Sequence, residues 1–327
     1  MTAPLYTSTR EGTSPVSFRE ALLAGLAPDG GLFVPTSIPP LAGTEWETAG
    51  SLAEVGRRVL APWLADEFGR QRLDTIVDDA LSFPVQLVPL AGGEWGGVYV
   101  LELFHGPTLS FKDVGARTMA RLMAEGLKGE PITILAATSG DTGSAVADGF
   151  AGRPGVRVLL LYPKGQVSPV QERQLIVERP SVQTLAVEGT FDDCQRLVKA
   201  AFAEPGLGRL SSANSINIGR LLPQMLYYTW AVVQLGGIRD AGWRDAQSRS
   251  PEASSGGDLP RHPSSSLVIP NPSSAPEAPT VVVPSGNLGN LTAGMLAQAA
   301  GLPIGRFVAA HNANAGFPRF LAGAAPE

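Results

Sequence analysis

From about residue 95 the chain alternates short apolar runs with segments of helical period, and glycine-rich turns separate them. Residues 98–103 (VYVLEL), 132–137 (ITILAA), 156–162 (VRVLLLY), 181–187 (SVQTLAV) and 280–285 (TVVVPS) are β-prone and mostly apolar throughout. Helical spacing follows over 144–151, 192–202 and 291–300. After residues 105–113, Ala116, Met119, Ala120, Met123 and Leu127 fall on one helical face, which puts Lys112 at the mouth of a helix. Continuous apolar strands alternating with helices predict a parallel sheet covered on both faces, an α/β fold.

Residues 1–90 read as a mixed opening domain, and 91–327 as the core that carries the chemistry. In the opening domain, Ala27-Pro28-Asp29-Gly30-Gly31 is a strong turn before a short strand at 32–34, and 51–64 and 73–80 are helical. Between about 243 and 279 the periodicity is lost in a Ser- and Pro-rich stretch with few large apolar residues, which reads as a disordered surface insertion.

Composition narrows the function classes. The chain has 327 residues, 44% of them hydrophobic, a net charge of −5 and a pI of about 5.4. Its length suits two α/β lobes, and no basic bias marks a nucleic-acid or anionic-membrane surface. Cys194 is the single cysteine and reads as a buried small residue; the histidines, at 105, 262 and 311, are far apart, so neither a disulfide framework nor a Cys/His metal site is expected. The opening MTAPLYTSTREGTS has no apolar core and no apolar run reaches the ~18 residues that span a bilayer, so a cytoplasmic protein is the expectation.

Two glycine turns lie between a strand and a helix: Ser139-Gly140-Asp141-Thr142-Gly143 and Ser285-Gly286-Asn287-Leu288-Gly289-Asn290. Unpaired N–H groups at such helix starts attract phosphate or carboxylate. The phosphate-loop, dinucleotide and nucleophile-elbow motifs are absent. Anion-binding loops together with a loop lysine suggest pyridoxal phosphate, which needs an amine for a Schiff base and a cradle for its phosphate. A Schiff-base lysine must give up its proton readily, and partial burial at a positive helix mouth disfavours the ammonium form of Lys112. On residue physics alone, a solvated lysine whose head snorkels away is an equal reading.

The segments LELFHGPTLSFKDVGARTMARLM, TSGDTGSA (138–145), LYPKGQVSPVQERQL (161–175), SANSINIGRLLPQMLYY (212–228) and VPSGNLGNLTAG (283–294) together closely resemble threonine synthases of the bacterial and fungal branch. Residues 6–35 resemble that family's N-terminal domain. The resemblance implies the fold of pyridoxal-phosphate enzymes related to tryptophan synthase β chains (fold type II), with a smaller lobe over about 113–215. It implies conversion of O-phospho-L-homoserine and water to L-threonine and phosphate. Lys112 would hold the cofactor and shuttle protons; Gly286, Asn287, Leu288, Gly289 and Asn290 would cradle its phosphate. Ser139, Gly140, Asp141, Thr142 and Gly143 would hold the substrate carboxylate; Asn214, Ser215, Asn217 and Arg220 of the matching motif would also bind substrate, Arg220 by its phosphate, with Lys164 able to reach the same group. His105 is expected to donate to the loop backbone, and Asp113 to complement the positive helix end. Relatives continue beyond the Pro-Arg-Phe-Leu at 318–321, so the C-terminal part of the cofactor lobe is expected to be missing, with the partner of the pyridine nitrogen. A related phospho-lyase and a non-catalytic remnant are the alternative readings.

Overall fold

The computed structural model describes residues 2–10, 12–90, 95–138, 140–248, 278–284, 286–313 and 316–323; for 238–248 only the backbone is described. The opening part contains β1 (Tyr6–Ser8), α1 (Phe18–Ala24), β2 (Phe33–Pro35), α2 (Leu52–Phe68) and α3 (Arg70–Ala80). Local chemistry sets these boundaries. Ser17 and Glu20 form a reciprocal capping box at the start of α1. Ser51 caps α2 by accepting from Glu54 N–H. Gly69, at φ 77°, ends α2 and starts α3, a conformation open to glycine at little cost. The predicted turn at 27–31 closes through Ala27 N–H to Gly31 O at 3.0 Å, with Gly30 at φ 77°.

The chain continues through β3 (Gln86–Pro89), β4 (Tyr99–Glu102), α4 (Lys112–Gly126), β5 (Ile132–Ala137), α5 (Asp141–Phe150), β6 (Val156–Pro163), α6 (Pro169–Ile176), β7 (Val182–Val187), α7 (Phe191–Ala203) and β8 (Leu210–Ser211). Then come α8 (Ile218–Leu221), α9 (Met225–Ser248), β9 (Thr280–Pro284), α10 (Gly289–Ala299), β10 (Arg306–Ala310) and α11 (Gly316–Leu321). Four strands form an all-parallel sheet in the order β7-β6-β5-β8, and β9 and β10 form a separate parallel pair. The strand expected at 98–103 is not part of a parallel sheet. As β4 it pairs antiparallel with β3, Val88 opposite Val100, and forms a hairpin beside the core. Its partner lies just upstream, and Val98 and Val100 are exposed, so it cannot be a covered interior strand.

Residues 243–248 of the insertion expected from 243 are instead helical, as the end of α9. Residues 249–277 of that expectation lie outside the described residues.

One contiguous core joins the opening domain to the sheet, from Tyr6, Phe18 and Trp63 to Ile134, Phe150 and Leu160, all at or below 1% exposure. Met119, Ala120, Met123 and Leu127, on the inward face of α4, belong to it, and Ala116 beside them is fully buried. This buried stripe fixes the rotation of α4 and so the direction in which its N-terminus points. Cys194 is buried in a second cluster with Leu135, Leu161 and Val198, and burial raises its thiol pKa above the ordinary value, as expected of an inert packed cysteine.

Candidate active site

Lys112 is the first residue of α4, and the loop before it is held from within by Asp113. Asp113 is fully buried and accepts from Thr108 N–H at 2.9 Å and Thr108 Oγ1 at 2.5 Å. It lies in the first turn of α4, where negative charge is favoured, but its carboxylate is spent on the loop. Gly106 is required here, since a Cβ would fall 2.4 Å from Asp113 Oδ2. Burial raises the Asp113 carboxyl above the usual range, against the pull of its bonds to Thr108. Leu109 is pinned at φ 59°, exposed, with its N–H on Gly106 O at 3.1 Å.

Lys112 Nζ, one-fifth exposed, donates to Asp141 Oδ2 at 3.3 Å and lies 4.7 Å from the Phe111 ring centroid. Asp141 opens α5, so the positive ends of two helices meet across this pair. Burial works to raise the Asp141 carboxyl, but the Gln171 amide at 2.9 Å and Lys112 outweigh it and hold it below the usual range. At this helix mouth a carboxylate therefore faces Lys112 and offsets the dipole.

The loop before α5 is organised by Thr138, whose Oγ1 accepts from Gly140 N–H at 3.2 Å and Gly143 N–H at 2.9 Å. Both glycines are buried, and Thr142 stays partly exposed. Gly143 sits where a Cβ would be 2.5 Å from both Leu175 Cδ2 and Thr138 Cγ2. Ser139 lies outside the described residues.

The segment 212–220 lies behind α4. Asn214 and Ser215 are partly exposed. Asn217 is not; it is fully buried, donates to Leu22 O at 2.9 Å and Ser212 O at 3.1 Å, and accepts from Gly219 N–H at 2.8 Å. Both of its amide hydrogens are engaged, so the expectation that it binds substrate is corrected to that of a brace for the loop. Arg220 is 2% exposed, donates to Ala213 O at 2.7 Å, and has a buried Nε without a partner among the described residues. Burial pushes its guanidinium down to about 10, with Tyr227 and Asp113 acting the other way, so it is cationic at neutral pH. Gly115 of α4 packs against it; a Cβ there would meet Arg220 O at 2.7 Å.

The second glycine loop approaches the first segment at Gly289, where a Cβ would lie 3.3 Å from Ser215 Cβ. Gly286 and Asn287 are exposed, and Leu288, Gly289 and Asn290 partly so. A Cβ at Gly286 would meet nothing within 4 Å among the described residues. The Asn290 side chain faces away, accepting from Tyr227 and Tyr228 hydroxyls at 2.6 Å each, so its backbone is what it offers a ligand. Helix α8 packs against both α4 and α10 and so links the two halves of the site.

Two further expectations change. His105 Nε2 lies 2.7 Å from Glu102 Oε2, with its ring against Phe104, and is not on the loop backbone; a carboxylate three residues away is the stronger partner. Lys164 pairs with Glu188 at 2.5 Å on the surface. Thr138 and Gln171 organise the site but were not among the expected site residues. The signal for Gln171 was legible: Ser168-Pro169 is a cap and first-turn signature that places it one turn into a helix. Among the described residues no group of three or more His, Cys, Asp or Glu could hold a metal ion, and no helix is long and apolar enough to cross a membrane.

Comparison with known proteins gives this geometry a context. The family described as "Threonine synthase N terminus" matches residues 5–81, and that described as "Pyridoxal-phosphate dependent enzyme" matches 83–241. The solved threonine synthase from Escherichia coli superposes with a TM-score of 0.78 at 38% identity, over 99% of this chain and 67% of that one. The chain belongs to the threonine synthase family. The PLP-bound threonine synthase from Brucella melitensis superposes with a TM-score of 0.79 at 36% identity, over 98% of this chain and 63% of that one. The curated threonine synthase from Escherichia coli strain K12 is 42% identical over 94% of this chain, and the one from Saccharomyces cerevisiae 34% over 97%. The chain spans 63% and 60% of those two relatives' lengths. Its architecture is accordingly that of the α/β, fold type II enzymes of this family.

Proposed function

We propose that this protein acts with pyridoxal phosphate to convert O-phospho-L-homoserine and water to L-threonine and phosphate. The observation that carries the reading is Lys112: a shielded amine at a helix start, facing the start of a second helix, in a chain of this family. The residues present fit the cofactor. Lys112 supplies the amine, and the loop 286–290 supplies a glycine turn running into α10, where the Gly289 N–H is turned onto Asn287 O and the next N–H groups of the first turn have no intrahelical acceptor.

In this reading Lys112 would hold the cofactor through its amine, and Gly286, Asn287, Leu288, Gly289 and Asn290 would hold its phosphate through backbone N–H groups. When bound, pyridoxal phosphate supplies an electron sink for carbanions beside an amino group. Lys112 Nζ carries protons between neighbouring substrate carbons, since one positioned amine can serve as base and then as acid. Asp141 stabilises the ammonium between transfers. Ser139, Thr142 and the N–H groups of residues 141 and 142 bind the substrate carboxylate, while Gly140 and Gly143, whose N–H groups are held by Thr138, shape the turn that presents them. Asn214, Ser215 and Arg220 bind its phosphate, and Arg220 brings a bidentate cation with a free Nε. Asn217 shapes the loop that presents them. The substrate is a small molecule.

The test is a cofactor titration followed by phosphate release and threonine formation from O-phospho-L-homoserine. The wild-type chain is expected to develop Schiff-base absorption and to turn over, and Lys112→Ala to lose both. A Lys112→Ala variant that keeps either one refutes the assignment.

A further inference from the structure

Gln171 lies on α6, outside the two glycine loops, yet it touches the centre of the site. Its Nε2 donates to Asp141 Oδ1 at 2.9 Å, while Lys112 Nζ donates to Asp141 Oδ2 at 3.3 Å. The two carboxylate oxygens are thus divided between amide and ammonium. The other end of the amide is fixed as well: Ser168 Oγ donates to Gln171 Oε1 at 3.2 Å and accepts from Gln171 N–H at 3.3 Å, capping α6. Turning the amide over would set its oxygen against a carboxylate and its NH2 against the cap, so one orientation is favoured. The space for it exists because residue 140 is glycine. A Cβ at Gly140 would fall 2.5 Å from Gln171 Nε2 and 2.9 Å from its Cδ. Three helix starts, at α4, α5 and α6, are thereby tied into one polar chain, Ser168–Gln171–Asp141–Lys112.

We infer that Gln171 is a positioning residue that holds Asp141 against Lys112, and that Gly140 is glycine to admit it. The inference rests on the reading of Lys112 as the reactive amine, and it names the residue that sets that amine's counter-ion. Without the amide, Asp141 is free to rotate into solvent, since nearly half of its side chain is exposed. Held in place, Asp141 Oδ2 takes a hydrogen bond from Lys112 Nζ and covers it, so a freed Asp141 leaves the amine more open to an acylating reagent.

The experiment is competitive acylation of cofactor-free protein with acetic anhydride, reading Lys112 against the exposed Lys128 and Lys199 by peptide mass spectrometry. Asp141→Asn is expected to raise the relative labelling of Lys112 by about two- to fivefold, the range set by a partly exposed ion pair. Gln171→Ala, which keeps the backbone N–H that Ser168 caps, is expected to give most of that rise. Gly140→Ala, which pushes the amide away, should do the same. Adding Gln171→Ala to Asp141→Asn should change nothing further, because both act through one contact. Labelling of Gln171→Ala at the wild-type rate, with Asp141→Asn raised, overturns the proposal. So does an Asp141→Asn variant indistinguishable from wild type. Because neither cofactor nor substrate is present, a chain that fails to make threonine still answers this question, and the two readings fail separately.

Discussion

Replacing Asp113 by alanine strikes the contact that shapes the Lys112 loop. The carboxylate serves two buried donors of Thr108, a residue itself only 7% exposed. Leaving a buried donor unsatisfied costs about 1–3 kcal/mol. Two such losses, less the relief of removing a desolvated carboxylate, put Asp113→Ala at about 2–4 kcal/mol of destabilisation. Asp113→Asn keeps an acceptor for the Thr108 N–H and a donor for its hydroxyl, so it should cost about 1 kcal/mol or less at low pH. The two variants also separate in their pH dependence. A carboxyl whose pKa is raised by folding contributes stability below the ordinary aspartate range and loses it as pH climbs through the raised value. The Asn variant lacks that term, so its stability relative to wild type should improve as pH rises from the ordinary aspartate range upward, then level off. Urea unfolding at several pH values measures this, with a constant m-value showing that the denatured state is unchanged. An Asp113→Ala variant within about 0.5 kcal/mol of wild type, the range of an ordinary surface change, would refute the account of the loop.

Arg220→Met removes a buried cation with an unpaired Nε; thermal unfolding of the wild type should rise with added inorganic phosphate, and that rise should vanish in the variant. At the start of α7, Thr190→Ala breaks a capping box and is expected to cost about 1 kcal/mol by urea titration. The same box holds the Asp193 carboxyl at about 2, first through the Thr190 backbone N–H and then through Arg196. Its stabilising effect is full above the ordinary aspartate range and fades as pH falls towards about 2; Thr190→Ala keeps the backbone N–H and the Arg196 contact and loses only the hydroxyl's share, so its difference from wild type should shrink only slightly on acidification.

The parallel sheet was readable because its long strands are mostly apolar runs bounded by turn residues: 132–137 corresponds residue for residue to β5, and 156–162 to all but the last residue of β6. The orientation of α4 was readable from its buried stripe. Pairing was not. The run at 98–103 looks like a sheet strand in isolation, and only its partner at 86–89 makes it a hairpin. Helix α1 was missed although Ser17 and Glu20 have capping-box spacing, because the segment is just seven residues long. The polar chain through the site was illegible for a different reason. Lys112 and Asp141 are 29 positions apart, Asp141 and Gln171 a further 30, and no local period links them.

The bond from Asn217 to Leu22 O joins residues 195 positions apart, across the line between the two matched families. Around it the fit is tight: a Cβ at Gly219 would fall 2.2 Å from Leu22 Cδ1. The opening domain is therefore part of the scaffold of the loop that presents Asn214 and Ser215. In recombination terms, residue 82 is a poor crossover point. A chimera joining the first part of one relative to the second part of another inherits two intact halves, but it must also inherit a matched pair at 22 and 219. This contact joins others across the same boundary, such as Arg121 to Asp79 and Arg72 to Glu125, and a side chain at position 219 should be tolerated only alongside a smaller residue at position 22.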